Sequence, residues 1–139
     1  MRRRAVIFED DALIRFALWK LFDDRGYEVL TFPEPGMCPL HVVRECPCPA
    51  NTSCADLIIS DVNMSGTNGI DFLEGLIQKG CKQRHFALMS GAFSDADLVR
   101  AARMGCALFS KPLEMEVLKT WVEAVEQSIL PERQLYNWV

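Results

Sequence analysis

Acidic, hydroxyl and lysine side chains close four short apolar runs in this sequence, and their types suit phosphoryl chemistry. Glu9, Asp10 and Asp11 follow Ala5-Val6-Ile7-Phe8; Asp61 ends Asp56-Leu57-Ile58-Ile59-Ser60; Ser90 follows Leu88-Met89; and Lys111-Pro112 follows Phe109-Ser110. Mg²⁺ takes hard oxygen ligands in an octahedron and keeps several waters. Asp10 and Asp61 can each supply a carboxylate oxygen, the backbone carbonyl of Asn63 a third ligand, and Glu9 can hold a coordinated water. A carboxylate can attack phosphorus to form an acyl phosphate, and Asp61 is the natural nucleophile. Lys111 would pair with that carboxylate and later with phosphoryl oxygens, while Ser90 would donate a hydrogen bond to another of them. Such a set stabilises charge on a transferring phosphoryl group.

Each feature alone has an ordinary structural explanation. Acids at a helix start usually serve as caps and dipole partners, a Lys-Pro pair usually marks a turn, and a serine ending a strand is usually a cap. Their common placement at strand ends argues for a site. In an open parallel sheet the carboxyl ends of the strands meet at one crevice, where ligands bind.

The elements that must position them follow from hydrophobic periodicity. Strands are expected at residues 5–8, 27–32, 57–60, 86–89 and 107–109. Helices are expected at residues 11–25, 70–79, 94–104 and 113–129. The first helix presents Ile14, Ala17, Leu18 and Leu21 on one face, and Asp11 reads as its N-cap. The second presents Phe72, Leu73, Leu76 and Ile77; the last buries Leu118, Trp121, Val122 and Val125 and stops before Pro131. Short apolar strands alternating with helices imply a parallel sheet covered on both faces. The expected fold is α/β, a flavodoxin-like doubly wound five-stranded parallel sheet in the order 2-1-3-4-5.

Residues 33–55 break the rhythm. Five prolines fall in this stretch, and the run from Cys46 to Pro49 cannot be helix interior. Residues 40–45 have room for a turn or two of helix, followed by an extended loop. This Cys/Pro-rich insert separates strands two and three.

The chain has 139 residues, half of them apolar, and a net charge of −4. That length fits one domain. The acidic balance argues against nucleic acid as a partner, and Arg2 to Arg4 read as a solvated start. No run approaches the ~20 apolar residues of a membrane span. The apolar stretch after the basic start is too short for a secretory signal, so the cytoplasm is the expected compartment.

Taken together, Val6-Ile7-Phe8-Glu9-Asp10-Asp11, Leu57-Ile58-Ile59-Ser60-Asp61-Val62-Asn63-Met64, Asn68-Gly69, Met89-Ser90-Gly91 and Lys111-Pro112 resemble the receiver domain of two-component response regulators. This is the family of the single-domain chemotaxis regulator. The resemblance runs from Arg4 to about Ile129. It implies that Asp61 is the phosphoacceptor, Glu9 and Asp10 the acid pair, Ser90 the switch hydroxyl and Lys111 the family's lysine, with a cis Lys111-Pro112 bond. It implies a switch that takes a phosphoryl group from a histidine kinase or phosphotransfer protein with Mg²⁺ and signals in trans to a downstream protein. Slow self-phosphorylation from small donors and self-dephosphorylation would accompany this. Residues 1–130 would form the receiver, with the insert at 33–55, and residues 131–139 a short tail.

Three features depart from the family pattern. Ser65 stands where a proline is common, which should loosen the loop. Leu108 stands where an aromatic usually lies three residues before the lysine; the ring is one residue later, at Phe109, and Leu108 is expected to stay packed. The Cys-rich insert is the third.

Cys38, Cys46, Cys48 and Cys54 cluster in the insert, with His41 among them. Four thiolates can close a tetrahedral Zn²⁺ site, although the spacing is not that of paired C-x2-C motifs. Redox-active or disulfide-forming thiols and inert buried thiols are the other readings. Cys54, Cys81 and Cys106 each precede a strand and should lie opposite the acidic crevice. A metal- or redox-responsive binding module on a receiver scaffold is therefore a second functional class. A small Mg²⁺-dependent phosphohydrolase is a third, though no segment offers a substrate cap.

Overall fold

The computed structural model describes residues 2–37, 52–81 and 85–136. Five parallel strands form the central sheet: β1 (Arg4–Phe8), β2 (Glu28–Phe32), β4 (Leu57–Asp61), β7 (Phe86–Ser90) and β8 (Ala107–Ser110). Their spatial order, β2-β1-β4-β7-β8, is the expected doubly wound order. Helix α1 (Ala12–Asp24) links β1 to β2, α2 (Gly69–Gln78) leads to β7, α3 (Asp95–Met104) links β7 to β8, and α4 (Met115–Ser128) follows β8.

Side-chain alternation along the strands divides the core in two. Val6, Phe8, Ile58 and Leu88 face one way, against Ile70, Phe72, Leu73 and Leu76 of α2 and Ala101 of α3. Ala5, Ile7, Leu57, Ile59, Ala87 and Met89 face the other, against Leu18 and Phe22 of α1 and Leu118, Val122 and Val125 of α4. Strands buried on both faces must be apolar at nearly every position, as β1, β4 and β7 are.

Local chemistry sets the helix starts. Asp11 Oδ1 accepts from the backbone N–H groups of Leu13 (2.9 Å) and Ile14 (3.2 Å). Asn68 Oδ1 does the same for Ile70 and Asp71. Ser94 and Asp97 form a reciprocal capping box at α3. Each cap satisfies donors that the first helical turn leaves unpaired.

Several local expectations need correction. Ile77 is 40% exposed, because the buried stripe of α2 runs through Ile70, Leu73 and Leu76 and leaves Ile77 at its edge. Trp121 is only partly buried, edge-on to Phe109 at 5.7 Å between ring centroids. Leu108 is 36% exposed rather than packed. Its register opposite Leu88 puts it on the α2–α3 face of an edge strand, while Phe109, opposite Met89, points into the α1–α4 side. The loop after Asp61 is a tight hairpin, β5 (Asn63–Met64) against β6 (Thr67–Asn68), turning through Ser65 and Gly66. Gly66 adopts φ 74°, which glycine tolerates without strain.

After β2 the chain makes a 3₁₀ turn, Pro35–Met37. The short helix expected at residues 40–45 lies outside the described residues. The chain is tied down beyond α4. β9 (Gln134–Leu135) pairs in parallel with β3 (Thr52–Ser53). Arg133 clamps Asp56 through Nε–Oδ1 at 2.6 Å and Nη2–Oδ2 at 2.7 Å. Arg4 Nη1 donates to the carbonyls of Cys54 (3.0 Å) and Tyr136 (2.6 Å). Among the described residues, no helix is long and apolar enough to cross a membrane.

Candidate phosphoacceptor site

The turn after β1, the end of β4 and the turn after β8 converge at one edge of the sheet. Glu9 and Asp61 are buried there, 0% and 1% exposed, and Asp10 lies at the exposed rim. Oxygens of Glu9, Asp10 and Asp61 lie within 4.8 Å of one another, the one such group of potential metal ligands among the described residues. Lys111 enters from the other side. Its Nζ is 2.6 Å from Asp61 Oδ1 and 3.1 Å from Glu9 Oε2. The Lys111 backbone N–H donates to the Ser90 carbonyl at 2.8 Å, and the Lys111-Pro112 bond is cis.

The electrostatics are crowded. Burial, then the adjacent Glu9 carboxyl, push Asp61 up to about 8, against the downward pull of Lys111. Burial works to lower the Lys111 pKa, but Asp61 and Glu9 outweigh it and raise it, so the ammonium stays charged. Neither Asp61 side-chain oxygen has a hydrogen-bond donor among the described residues, apart from the ion pair that Lys111 makes with Oδ1. A buried carboxylate left so poorly paired fits a bound cation. The donor set is all hard oxygen, which suits Mg²⁺ rather than a thiophilic ion.

Ser90 also ends its strand at this edge, but its hydroxyl is engaged elsewhere. It donates to the Ala92 carbonyl at 2.8 Å and accepts from the Ala92 N–H at 3.1 Å. Asn63 opens β5 two residues after Asp61, with its side chain exposed. Cys38, Cys46 and Cys48 lie outside the described residues. Cys54 is buried before β4, and Cys81 and Cys106 precede β7 and β8, all at the opposite end of the sheet.

Two residues of the site were not singled out from sequence. A Cβ on Gly69 would lie 1.7 Å from the Asp61 carbonyl oxygen, and the Gly69 N–H donates to the Val62 carbonyl at 2.7 Å. Only glycine lets α2 start so close to the acceptor strand. Its place in the Asn68-Gly69 pair was the available signal. Arg15, on α1, donates to the carbonyl of Glu9 at 2.8 Å. Its position six residues after Glu9 was the only hint.

The family model of the response regulator receiver domain matches residues 5–123. The chain belongs to this family. It is 30% identical over 135 residues to the transcriptional regulatory protein PdtaR of Mycobacterium tuberculosis, covering 96% of this chain and 60% of that protein. It thus spans only about three fifths of that relative's length. It is 27% identical over 124 residues to a probable chemotaxis protein CheY of Rhizobium etli, covering 88% of this chain and 91% of the relative. Among solved structures, the non-phosphorylated HemR receiver domain from Leptospira biflexa matches with a TM-score of 0.75 at 21% identity, covering 94% of this chain and 99% of that one. Chemotaxis protein CheY4 of Vibrio cholerae matches with a TM-score of 0.70 at 24% identity, covering 90% and 99%. At those identities the structures support the fold alone.

As a receiver domain the chain is a phosphoacceptor of two-component signalling, a switch rather than a classical enzyme. Receiver domains bind Mg²⁺ in an acidic pocket and interact with histidine kinases or phosphotransfer proteins and with downstream targets.

Proposed function

We propose that Asp61 accepts the phosphoryl group, with Lys111 and Ser90 assisting and Mg²⁺ held by Asp10, Asp61 and the Asn63 carbonyl. The observation that carries this is the ammonium of Lys111 held between Asp61 and Glu9 beside Asp10, at the ends of three strands. When bound, Mg²⁺ would neutralise charge on the phosphoryl oxygens.

The ionised Asp61 is the nucleophile. One of its oxygens forms a bond to phosphorus as the bond from phosphorus to the donor's histidine nitrogen, or to a small donor's leaving oxygen, breaks. Burial strengthens the attraction between Lys111 and the incoming phosphoryl oxygens. Ser90 Oγ can exchange its Ala92 contacts for a phosphoryl oxygen by turning about χ1. Glu9, facing Lys111 and buried, orients that ammonium and can hold a coordinated water. Slow self-phosphorylation from small donors and slow hydrolysis of the acyl phosphate follow from the same geometry, since neither needs a second protein.

The donor in signalling is a histidine kinase or phosphotransfer protein, and the output protein is contacted in trans. The reading places the domain in the cytoplasm, where ATP supplies the kinase. Reductive trapping of the acyl phosphate followed by peptide mapping tests the assignment: the trapped residue should be Asp61, and a label mapped to any other carboxylate would refute it.

A further inference from the structure

The turn that carries Glu9 and Asp10 must aim two carboxylates into one crevice while the chain reverses into α1. Three hydrogen bonds fix it. The Glu9 N–H donates to the Phe32 carbonyl at 3.1 Å, which continues the β1–β2 ladder. The Asp11 N–H donates to Glu9 Oε1 at 2.9 Å, which fixes the buried carboxylate. The third comes from Arg15, one turn into α1. Its Nη1 donates to the Glu9 carbonyl at 2.8 Å and lies 3.5 Å from the Asp10 carbonyl. Arg15 is half-buried, and no described carboxylate pairs with it. Its guanidinium is directed at the backbone of the acid pair.

We propose that Arg15 is a positioning residue for the cation site: it anchors the carbonyls of Glu9 and Asp10 and thereby fixes where their carboxylates point. This rests on the reading of the pocket as a Mg²⁺ and phosphoacceptor site. Two effects of Arg15 oppose each other. Its positive charge repels a divalent ion, so removing it should tighten binding. Its hydrogen bonds preorganise the ligands, so removing them should weaken binding. Groups that orient metal ligands typically matter by about tenfold or more in affinity. An exposed-edge charge repulsion is cut by solvent and salt to much less than that. Positioning therefore wins, and the sign of the change separates the two.

The test is calorimetric Mg²⁺ titration of the full chain and of Arg15→Met, Arg15→Lys and Asp10→Asn, alongside Asp61 labelling by a small phosphodonor across a Mg²⁺ series. Arg15→Met keeps a helix-compatible aliphatic stem and should weaken Mg²⁺ by about tenfold. Its labelling rate at saturating Mg²⁺ should stay within about twofold of wild type, because Arg15 touches no reacting atom. Arg15→Lys, which can still donate to a carbonyl, should recover most of the affinity. Unchanged or tighter Mg²⁺ binding in Arg15→Met would overturn the proposal, as would an equal loss in Arg15→Lys. If wild type itself bound no Mg²⁺, or Asp10→Asn bound it equally well, the reading of the pocket would fail instead, which is a distinct result.

Discussion

Lys111 Nζ sits 2.6 Å from Asp61 Oδ1, yet Asp61 ionises less readily than a free aspartate. Burial and the Glu9 carboxyl outweigh the ammonium. The folded protein therefore holds its acceptor carboxylate at a cost to stability.

That cost should be visible on removing the charge. Asp61→Asn keeps the size and discards the buried anion, while Lys111 retains Glu9 as a partner. Replacing a poorly paired buried charge with a neutral group is often stabilising by about 1–4 kcal/mol. Urea unfolding without Mg²⁺ should show a gain in that range at a pH above 8. The gain should shrink as the pH falls through about 8, where Asp61 takes up its proton. A variant less stable than wild type at high pH would contradict this.

Mg²⁺ affinity should rise with pH. A group whose folded pKa is raised contributes stability below its unfolded pKa, near ~4 for an aspartate, and loses it as pH rises through the folded value. For Asp61 that folded value is about 8. Metal-free stability should thus decline across this window, and added Mg²⁺ should restore it at the alkaline end. A cation competes with the proton on its ligand, so binding near neutral pH should release part of a proton per ion. Titrations in buffers of different ionisation enthalpy measure that release, and none would be seen if Asp61 were already fully ionised.

The strand-end acids, the lysine and the sheet order were legible because they depend on local pattern: apolar runs of strand length, each closed by a functional residue. Contacts that depend on distant backbone were not. Nothing in the local sequence around Gly69 shows that its α-carbon abuts the Asp61 carbonyl. Nor does it show that Arg133 and Asp56, 77 residues apart, pair across the far end of the sheet. Leu108 misled for a related reason. Alternation assigns it to one face of β8, but β8 is an edge strand, and its neighbours leave that face partly open.

Gly69→Ala should be severely destabilising. The clash is with backbone atoms of Asp61, which cannot rotate away as a side chain could. Relief requires α2 to shift from β4, at about 3 kcal/mol or more. Thermal unfolding measures the loss, and a near-wild-type midpoint would show that α2 can move freely.

Arg133→Met should destabilise the fold without impairing phosphorylation. It leaves Asp56, whose side chain is 3% exposed, with only the Arg4 N–H at 2.9 Å as a described donor. Breaking one side of a buried pair costs about 3 kcal/mol. Asp56 precedes the first residue of β4 and Asp61 is its last, so the acceptor pocket should survive. Chemical denaturation should report the loss while phosphodonor labelling stays within about twofold of wild type. A collapse of labelling under conditions where the variant is folded would show that the two ends of β4 are coupled.

Intact-mass analysis after incubation with a small phosphodonor and Mg²⁺ tests the central claim most directly, comparing wild type with Asp61→Asn. The pocket geometry predicts one added phosphoryl group on wild type, dependent on Mg²⁺, and none on Asp61→Asn. Equal labelling of both proteins would contradict the assignment of Asp61 as the acceptor.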